Sequence, residues 1–536
     1  NHWEPELGGG PRGQFTFNGG TTALNGGVSP SQFNSYASFL LGLPDDVQKS
    51  YQNILMTGRE WQFGWYARDR WQVTRNLTLN IGLRYELYPL MTRCCGKGLE
   101  RYDPSTNLLY LGGRGDVPED AGFSVSHKLF APRFGIAWRL GDNTVIRTGY
   151  GISYDPIPFS RPLRGFYPLT INYQYVGASG FLPGTTLVDG IPAPALPDLS
   201  TGVISLPGKV TERSPWGGEV KRGYIQSWNF TVERRFGASA IASLAYVGTQ
   251  TTHQLADYDI NSGYPGSGNN NLPLAQYGRT AALDMWGGYL SSHYHSLQAS
   301  VKKQLGHGLL IQGAYTWSKA IDFTDDDGWA TPSRMYDFQW NRAPAGYDRT
   351  QVFQGGWVWE LPVGKGKTYV NNGPVAYILG NWSINGTISA FTGTPYTVTD
   401  SGTFVNAGPD NTQSADQVKS SVAQLGNIGP GQSFFDPTAF VTVSGGQPRF
   451  GNTGRNTLRG PGVFNNDLSV SRNFPIKERI KLEFRTDCFN VTNTPKFSNP
   501  SASVTSGTFS QITSTISNST AVNTERQFRF GLRLVF

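Results

Sequence analysis

The sequence predicts an all-β fold, an antiparallel transmembrane β-barrel of outer-membrane type with long external loops. Three observations carry the prediction. Segments of about ten residues alternate large apolar with polar side chains, the period of two that puts each set on its own strand face. Short Gly- and Asn-containing links alternate with long connections. The composition fits half-polar strands with aromatic belts: Gly 66, Phe 31, Tyr 25, Trp 14 and only 15% charged residues, where soluble domains carry about 25%. At ~100–200 residues per domain, 536 residues would suggest several domains, but the strand rhythm reads as one barrel domain over 1–536.

Taken along the chain, residues 60–73 form a less regular strand, and residues 76–88 (NLTLNIGLRYELY) form the clearest one. There Leu77, Leu79, Ile81, Leu83, Tyr85 and Leu87 share one face, and Thr78, Asn80, Gly82, Arg84 and Glu86 the other. At ~3.3 Å per residue it spans about 40 Å, enough for a tilted crossing of bilayer hydrocarbon. Residues 130–140 and 144–154 follow. In 228–235, Trp228, Phe230 and Val232 oppose Asn229, Thr231, Glu233 and Arg235. Residues 240–248 precede 296–303, where Leu297, Ala299 and Val301 oppose Ser296, Gln298, Ser300 and Lys302. Then come 309–319, 351–361, 382–391 and 463–473. In 480–488, Ile480, Leu482 and Phe484 oppose Lys481, Glu483, Arg485 and Asp487. The segment 526–536 (RQFRFGLRLVF) sets Phe528, Phe530, Leu532, Leu534 and Phe536 on one face. That segment alone fits a barrel strand or a sandwich strand equally; the charged faces elsewhere decide. Burying Arg, Glu, Lys and Asp in a sandwich would be prohibitive, and a watery lumen accepts them.

The links TRN, GDN, GAS, GHG and PIKER join these arms as hairpins. Long stretches over 155–224, 248–292, 322–350 and 393–462 join the opposite ends, which gives short turns toward the periplasm and long loops toward the outside. The loops are rich in Gly, Pro, Asn, Ser, Tyr and Trp, and either mobility or a packed external cap fits that composition. Residues 263–271 (GYPGSGNNN) are the expected disordered tip.

Other classes are disfavoured. Apolar runs such as 375–379 fall far short of the ~20 residues of a helical span. The net charge is +7, but Lys and Arg are spread singly, so nucleic acid is not an expected partner. Cys94, Cys95 and Cys488 cannot build a disulfide framework; a vicinal bond and two free thiols both fit Cys94 and Cys95, with free thiols preferred. GxSxG, HExxH and P-loop motifs are absent from the sequence, and neither catalytic residues nor a cofactor is expected. His293 and His295 share a face without a third ligand and read as a strand-end pair facing solvent. Asp325, Asp326 and Asp327 before Gly328 lack the alternation and distal Glu of a calcium loop. Sequons at Asn76, Asn229, Asn381, Asn385, Asn490 and Asn518 mark polar faces, not glycosylation.

Several segments resemble the carboxypeptidase-regulatory-like (Oar-like) group of TonB-dependent outer-membrane receptors: WYARDRWQVTRNLTLNIGLRYE (65–86), APRFGIAW with VIRTGYGISYD (131–155), AYTWSKAID (314–322), YDRTQVFQGGWVWELPVGKGK (347–367) and GNTGRNTLRGPGVFNNDLSVSRNFPIKERIKLEFRTDCFNVTNTPKF (451–497). The resemblance covers about residue 61 to 536 and is most specific over 451–497. It implies a barrel of about twenty-two strands around a plug, a preceding small β-sandwich domain, and a TonB box that energises transport. The strands readable here number about sixteen to eighteen, so the chain reads as the C-terminal barrel part of a longer receptor that meets the TonB complex only through its N-terminal part. The terminal Phe536 and its four companions resemble the signal read by the barrel-assembly machinery, since an apolar strand with an unpaired edge must be captured before it aggregates.

The expectation is therefore a Gram-negative outer-membrane protein, in contact with lipid, that takes up a bulky glycan, peptide or chelate. Trp216, Tyr264, Trp286, Trp329 and Trp340 are the leading loop contacts for that ligand, with Tyr224, Tyr258, Tyr277, Tyr289 and Tyr336 as further stacking surfaces. For any one of them, loop packing or a place in the interfacial girdle is the preferred role. A surface adhesion protein anchored by its barrel, and a passive porin, are the competing readings.

Overall fold

Thirteen long strands lie side by side in the order in which the chain makes them. They are β1 (Phe63–Thr74), β2 (Leu77–Leu87), β3 (Leu129–Leu140), β4 (Thr144–Tyr154), β5 (Tyr224–Phe236), β6 (Ala240–Asp259), β7 (Leu283–Gln304), β8 (Leu309–Asp322), β9 (Gln351–Glu360), β10 (Trp382–Phe391), β11 (Val463–Lys477), β12 (Ile480–Phe489) and β13 (Gln527–Val535). Neighbours pair antiparallel throughout. The structure is a computed structural model, and it describes all residues except 1, 4–11, 25–30, 56, 159–160, 162, 164–166, 178–180, 194–195, 269–270, 307, 326–331, 402–404, 406, 408–410, 478–479 and 517–523.

Each segment delimited in the sequence is one of these strands, and the register keeps its two faces apart. Leu79, Ile81, Leu83 and Tyr85 of β2 lie opposite Ile136, Phe134, Pro132 and Phe130 of β3. Phe484, Leu482 and Cys488 of β12 lie opposite Leu532, Leu534 and Phe528 of β13. The apolar row is exposed: Trp65, Phe134, Phe230, Leu244, Trp317 and Phe530 are all open on the outer face, as a lipid-facing wall requires. The polar row lines a concave surface. One cavity of about 600 Å³ is bounded together by Glu233 of β5, Lys302 of β7, Gln312 of β8, Thr387 of β10 and Asp467 of β11, so the sheet curls toward its polar face.

Four expectations change. Among the described residues thirteen strands lie along the sheet, fewer than sixteen to eighteen, because the strands described in the connections are short. Asp46–Gln52, for example, pairs with Gln14–Thr16 and Thr170–Val176, and seven residues cannot cross a bilayer that needs about nine to eleven. Among the described residues β1 and β13 are not paired with each other. Twelve antiparallel steps separate them, so they run in the same direction and the sheet is an unclosed barrel wall.

The stretch 248–292 is not all loop, since β6 and β7 stay paired out to Asp259 and Asp284. This ribbon rises past the apolar band, where Thr249, Gln250, Thr251 and Thr252 need no lipid-facing partner. Residues 263–268 are not a disordered tip: the Gly266 amide donates to the Val405 carbonyl at 2.8 Å, Ser267 is buried, and the rings of Tyr264 and Tyr336 are 6.5 Å apart. Residues 269–270 of that tip lie outside the described residues. The long connections form a packed cap with its own cores, one around Tyr102, Leu109, Ile204 and Met285 and another around Val398, Phe434, Phe440 and Ile512.

At the short-turn end, Arg472 sits in the outer row opposite Trp382. Its guanidinium lies over the Phe474 and Trp382 rings (4.1 and 5.4 Å) and donates to the Tyr377 carbonyl of the short helix Gly373–Leu379, the way a cation near an interface shields its charge. Cys94, Cys95 and Cys488 are unbonded.

A candidate ligand site in the cap

The β6–β7 ribbon bends at a bulge. The register slips around Gln254, and His253 takes a left-handed φ of 54°, a conformation rarely held by a non-Gly residue without a local reason. Gly288 faces this bulge. A Cβ there would come within 2.8 Å of the His253 carbonyl oxygen and 3.0 Å of the Lys221 carbonyl oxygen, so three backbones meet at a point only Gly permits.

Glu212–Pro215 runs parallel to β7, opposite Leu283 to Trp286, and the Trp216 amide donates to the Trp286 carbonyl at 2.9 Å. The chain continues into Gly218–Val220. Val220 is buried beside Leu99, Val117 and Phe123, and its alternating neighbours Glu219 and Lys221 are exposed.

These elements enclose a cavity of about 510 Å³ lined by Trp216, Leu255, Tyr258, Trp286, Tyr289 and Phe338, with Glu219 and Lys221 as its charged groups. Trp216 and Tyr258 both stand edge-on to Tyr289 (6.4 and 6.1 Å between ring centres), and Phe338 lies 5.7 Å from Tyr258. The Tyr289 ring is 37% exposed while its hydroxyl donates to the Met285 carbonyl. A ring anchored at its polar end presents its face at low entropic cost. Apolar walls with a few polar groups are the usual make-up of a small-molecule site of ~300–1,000 Å³.

Beneath the aromatic walls the ribbon is held by buried charge. Asp257 pairs with Arg161 and with Arg213 (3.7 Å), and Arg213 Nε donates to Asp284 Oδ2 at 2.5 Å. Breaking such a pair would strand a buried charge, so the network holds the ribbon in one geometry. Nearby, Glu212 is fully buried; burial, then the Glu100 carboxylate, push its carboxyl well above the usual range.

Of the residues singled out in the sequence, Trp216, Tyr258, Trp286 and Tyr289 come together here, although Trp286 is buried and contributes mainly to the wall. Tyr264 lies elsewhere, against Tyr336. Trp340 donates from Nε1 to the Thr453 carbonyl (2.9 Å) beneath the Arg334 guanidinium, and Tyr277 donates to the Ser105 carbonyl; both fasten the cap. Tyr224 packs against a tilted Tyr154 ring (5.8 Å) and edge-on to His253 (5.9 Å). Trp329, Asp326, Asp327, Gly328 and Asn518 lie outside the described residues. Phe338 could not be chosen from sequence alone, since nothing local ties DFQWN to Trp216.

His293 and His295 share a face, with rings 5.8 Å apart, and that face is the outer one: His295 stacks on Tyr246 and accepts or donates at 2.7 Å to its hydroxyl. They belong to the aromatic belt at the cap end of the wall. Asp325 pairs with Arg455 at 2.8 Å.

The model of a family described as "Outer membrane beta barrel domain" matches residues 1–529. No curated protein matches the chain. Similar solved structures include the ferripyoverdine receptor of the outer membrane of Pseudomonas aeruginosa, 11% identical over 90% of this chain and 39% of that one, with a TM-score of 0.43. The outer membrane transporter YddB from Escherichia coli is 10% identical over 91% and 54%, with a TM-score of 0.45. The siderophore receptor PiuA from Acinetobacter baumannii is 9% identical over 91% and 44%, with a TM-score of 0.41. The chain spans 39–54% of the length of these three proteins.

Proposed function

We propose, from the premise that the chain belongs to the outer membrane beta barrel domain family, that it forms the barrel of a receptor taking up a bulky ligand. The protein resides in the outer membrane of a Gram-negative bacterium, with its apolar rows in lipid. In this reading the cap captures a glycan, peptide or chelate and the polar concave face passes it inward. The whole receptor draws energy from the TonB complex, and the barrel-assembly machinery inserts the wall.

The aromatic cavity at the long-loop end carries the reading. Its anchored rings suit the apolar faces of sugars or the rings of aromatic ligands, and Glu219 and Lys221 supply directional hydrogen bonds.

The test is ligand binding to the receptor carrying Trp216→Ala with Tyr258→Ala. The probes are a chito-oligosaccharide, a tyrosine-rich peptide and a ferric catecholate. At least one should bind the parent saturably and lose about tenfold in affinity in the variant, equivalent to ~1.4 kcal/mol. Equal affinity of parent and variant for every probe that binds would refute the assignment.

A further inference from the structure

Strand pairing gathers on one part of the concave face a set of arginines that the sequence spreads singly. Tyr66, Arg68 and Arg70 of β1, Asn80 and Arg84 of β2, and Arg133 of β3 line one cavity of about 510 Å³. Arg68 lies opposite Gly82, and Gly82 lies opposite Arg133. Adjacent strands are ~4.8 Å apart, so the two arginines rise from backbones about 10 Å apart with only a glycine between them, and the Arg68 stem lies over it. In the next row Arg70 lies opposite Asn80, and Asn80 opposite Gly135. Gly82 and Gly135 thus leave room among four arginines that line the same space. Only Arg84 is compensated, by Glu86 through Nε at 2.5 Å; among the described residues no ion pair engages Arg68, Arg70 or Arg133.

We propose that this cradle binds a small solute carrying two or more phosphate or carboxylate groups. Guanidinium groups present paired donors that match the two oxygens of such groups, and rings or rows of Arg favour anions in membrane pores. Arg68 and Arg133 line the same cavity from strands on either side of Gly82, so an oxyanion held there is within reach of both, while Asn80 and Tyr66 supply neutral hydrogen bonds. A concave space lined by several cations is the shape of a small-ligand site, whereas an acidic protein segment would need a broad surface. The inference rests on which strand face is concave and polar, not on the aromatic cavity, so it stands or falls separately from the ligand assignment in the cap.

The experiment is calorimetric titration of the full chain, folded in phospholipid nanodiscs, with tripolyphosphate and with citrate. At least one should bind saturably, more weakly as sodium chloride rises, while spermine should not bind. Arg68→Gln with Arg133→Gln should weaken binding at least tenfold. Gly82→Val keeps all four charges and fills the room among them; it should weaken binding to a similar degree, with heat-modifiable gel mobility confirming that each variant is folded. Unchanged affinity in the arginine variant overturns the site. Unchanged affinity in Gly82→Val overturns it too, leaving only diffuse attraction, and binding of poly-glutamate but neither small anion would assign the surface to an acidic protein segment instead.

Discussion

Phe230 and Asn229 are chain neighbours in the middle of β5, and the barrel reading assigns them opposite solvents. Phe230 is 49% exposed on the outer row, opposite Thr148 and Tyr246. Asn229 faces the concave side, opposite Gly149 and Val247. If the outer row meets lipid, about half of a ~200 Å² phenyl surface contributes about 2.5 kcal/mol at ~25 cal/mol per Å², and an Arg near the bilayer midplane costs a further ~2–4 kcal/mol. Phe230→Arg should therefore destabilise the membrane-inserted wall by about 5 kcal/mol. Asn229→Arg projects over a glycine into water and should cost less than ~1 kcal/mol. Urea unfolding from phospholipid vesicles, followed by ellipticity and by heat-modifiable gel mobility, measures both. Equal costs, or a larger cost for Asn229→Arg, would show that the apolar row is not the lipid face and would remove the basis for the barrel.

Two further outcomes follow from the same structure. Phe536 is 91% exposed one residue beyond β13, in line with its outer row, and Phe536→Ser should lower the amount of folded barrel in the outer membrane; a wild-type yield of the heat-modifiable form would exclude an assembly role for it. Glu212, whose carboxyl is raised by burial and by Glu100, binds a proton in the folded cap at pH values where the unfolded chain has lost it. Cap stability should therefore fall as pH rises above the ordinary value near 4.5. Glu212→Gln should remove that dependence, read as the rate of limited proteolysis of the cap at pH 5 and pH 8; an unchanged pH dependence would mean that the carboxyl does not couple to cap folding.

The strand faces were legible because they are local. A period of two in NLTLNIGLRYELY or RQFRFGLRLVF depends only on neighbouring residues, and five of the antiparallel pairings followed from short turns that leave the chain no other adjacent partner. The long connections resisted the same treatment. Their mixed Gly, Tyr and Trp content fits mobile and packed loops equally, and the core around Tyr102, Ile204 and Met285 draws on segments far apart in the chain.

The sequence by itself determined the all-β class, the place of each wall strand and which side chains face lipid or water, since each is a property of a single strand, whereas the number of strands that cross was settled only by how the connections pair. Only the tertiary structure decided that the β6–β7 ribbon continues into the cap, that Trp216, Tyr258, Tyr289 and Phe338 surround one space, and that Arg68 and Arg133 flank Gly82. Those facts depend on inter-strand register and on non-local packing, where a shift of two residues keeps every face apolar or polar but changes which side chains meet.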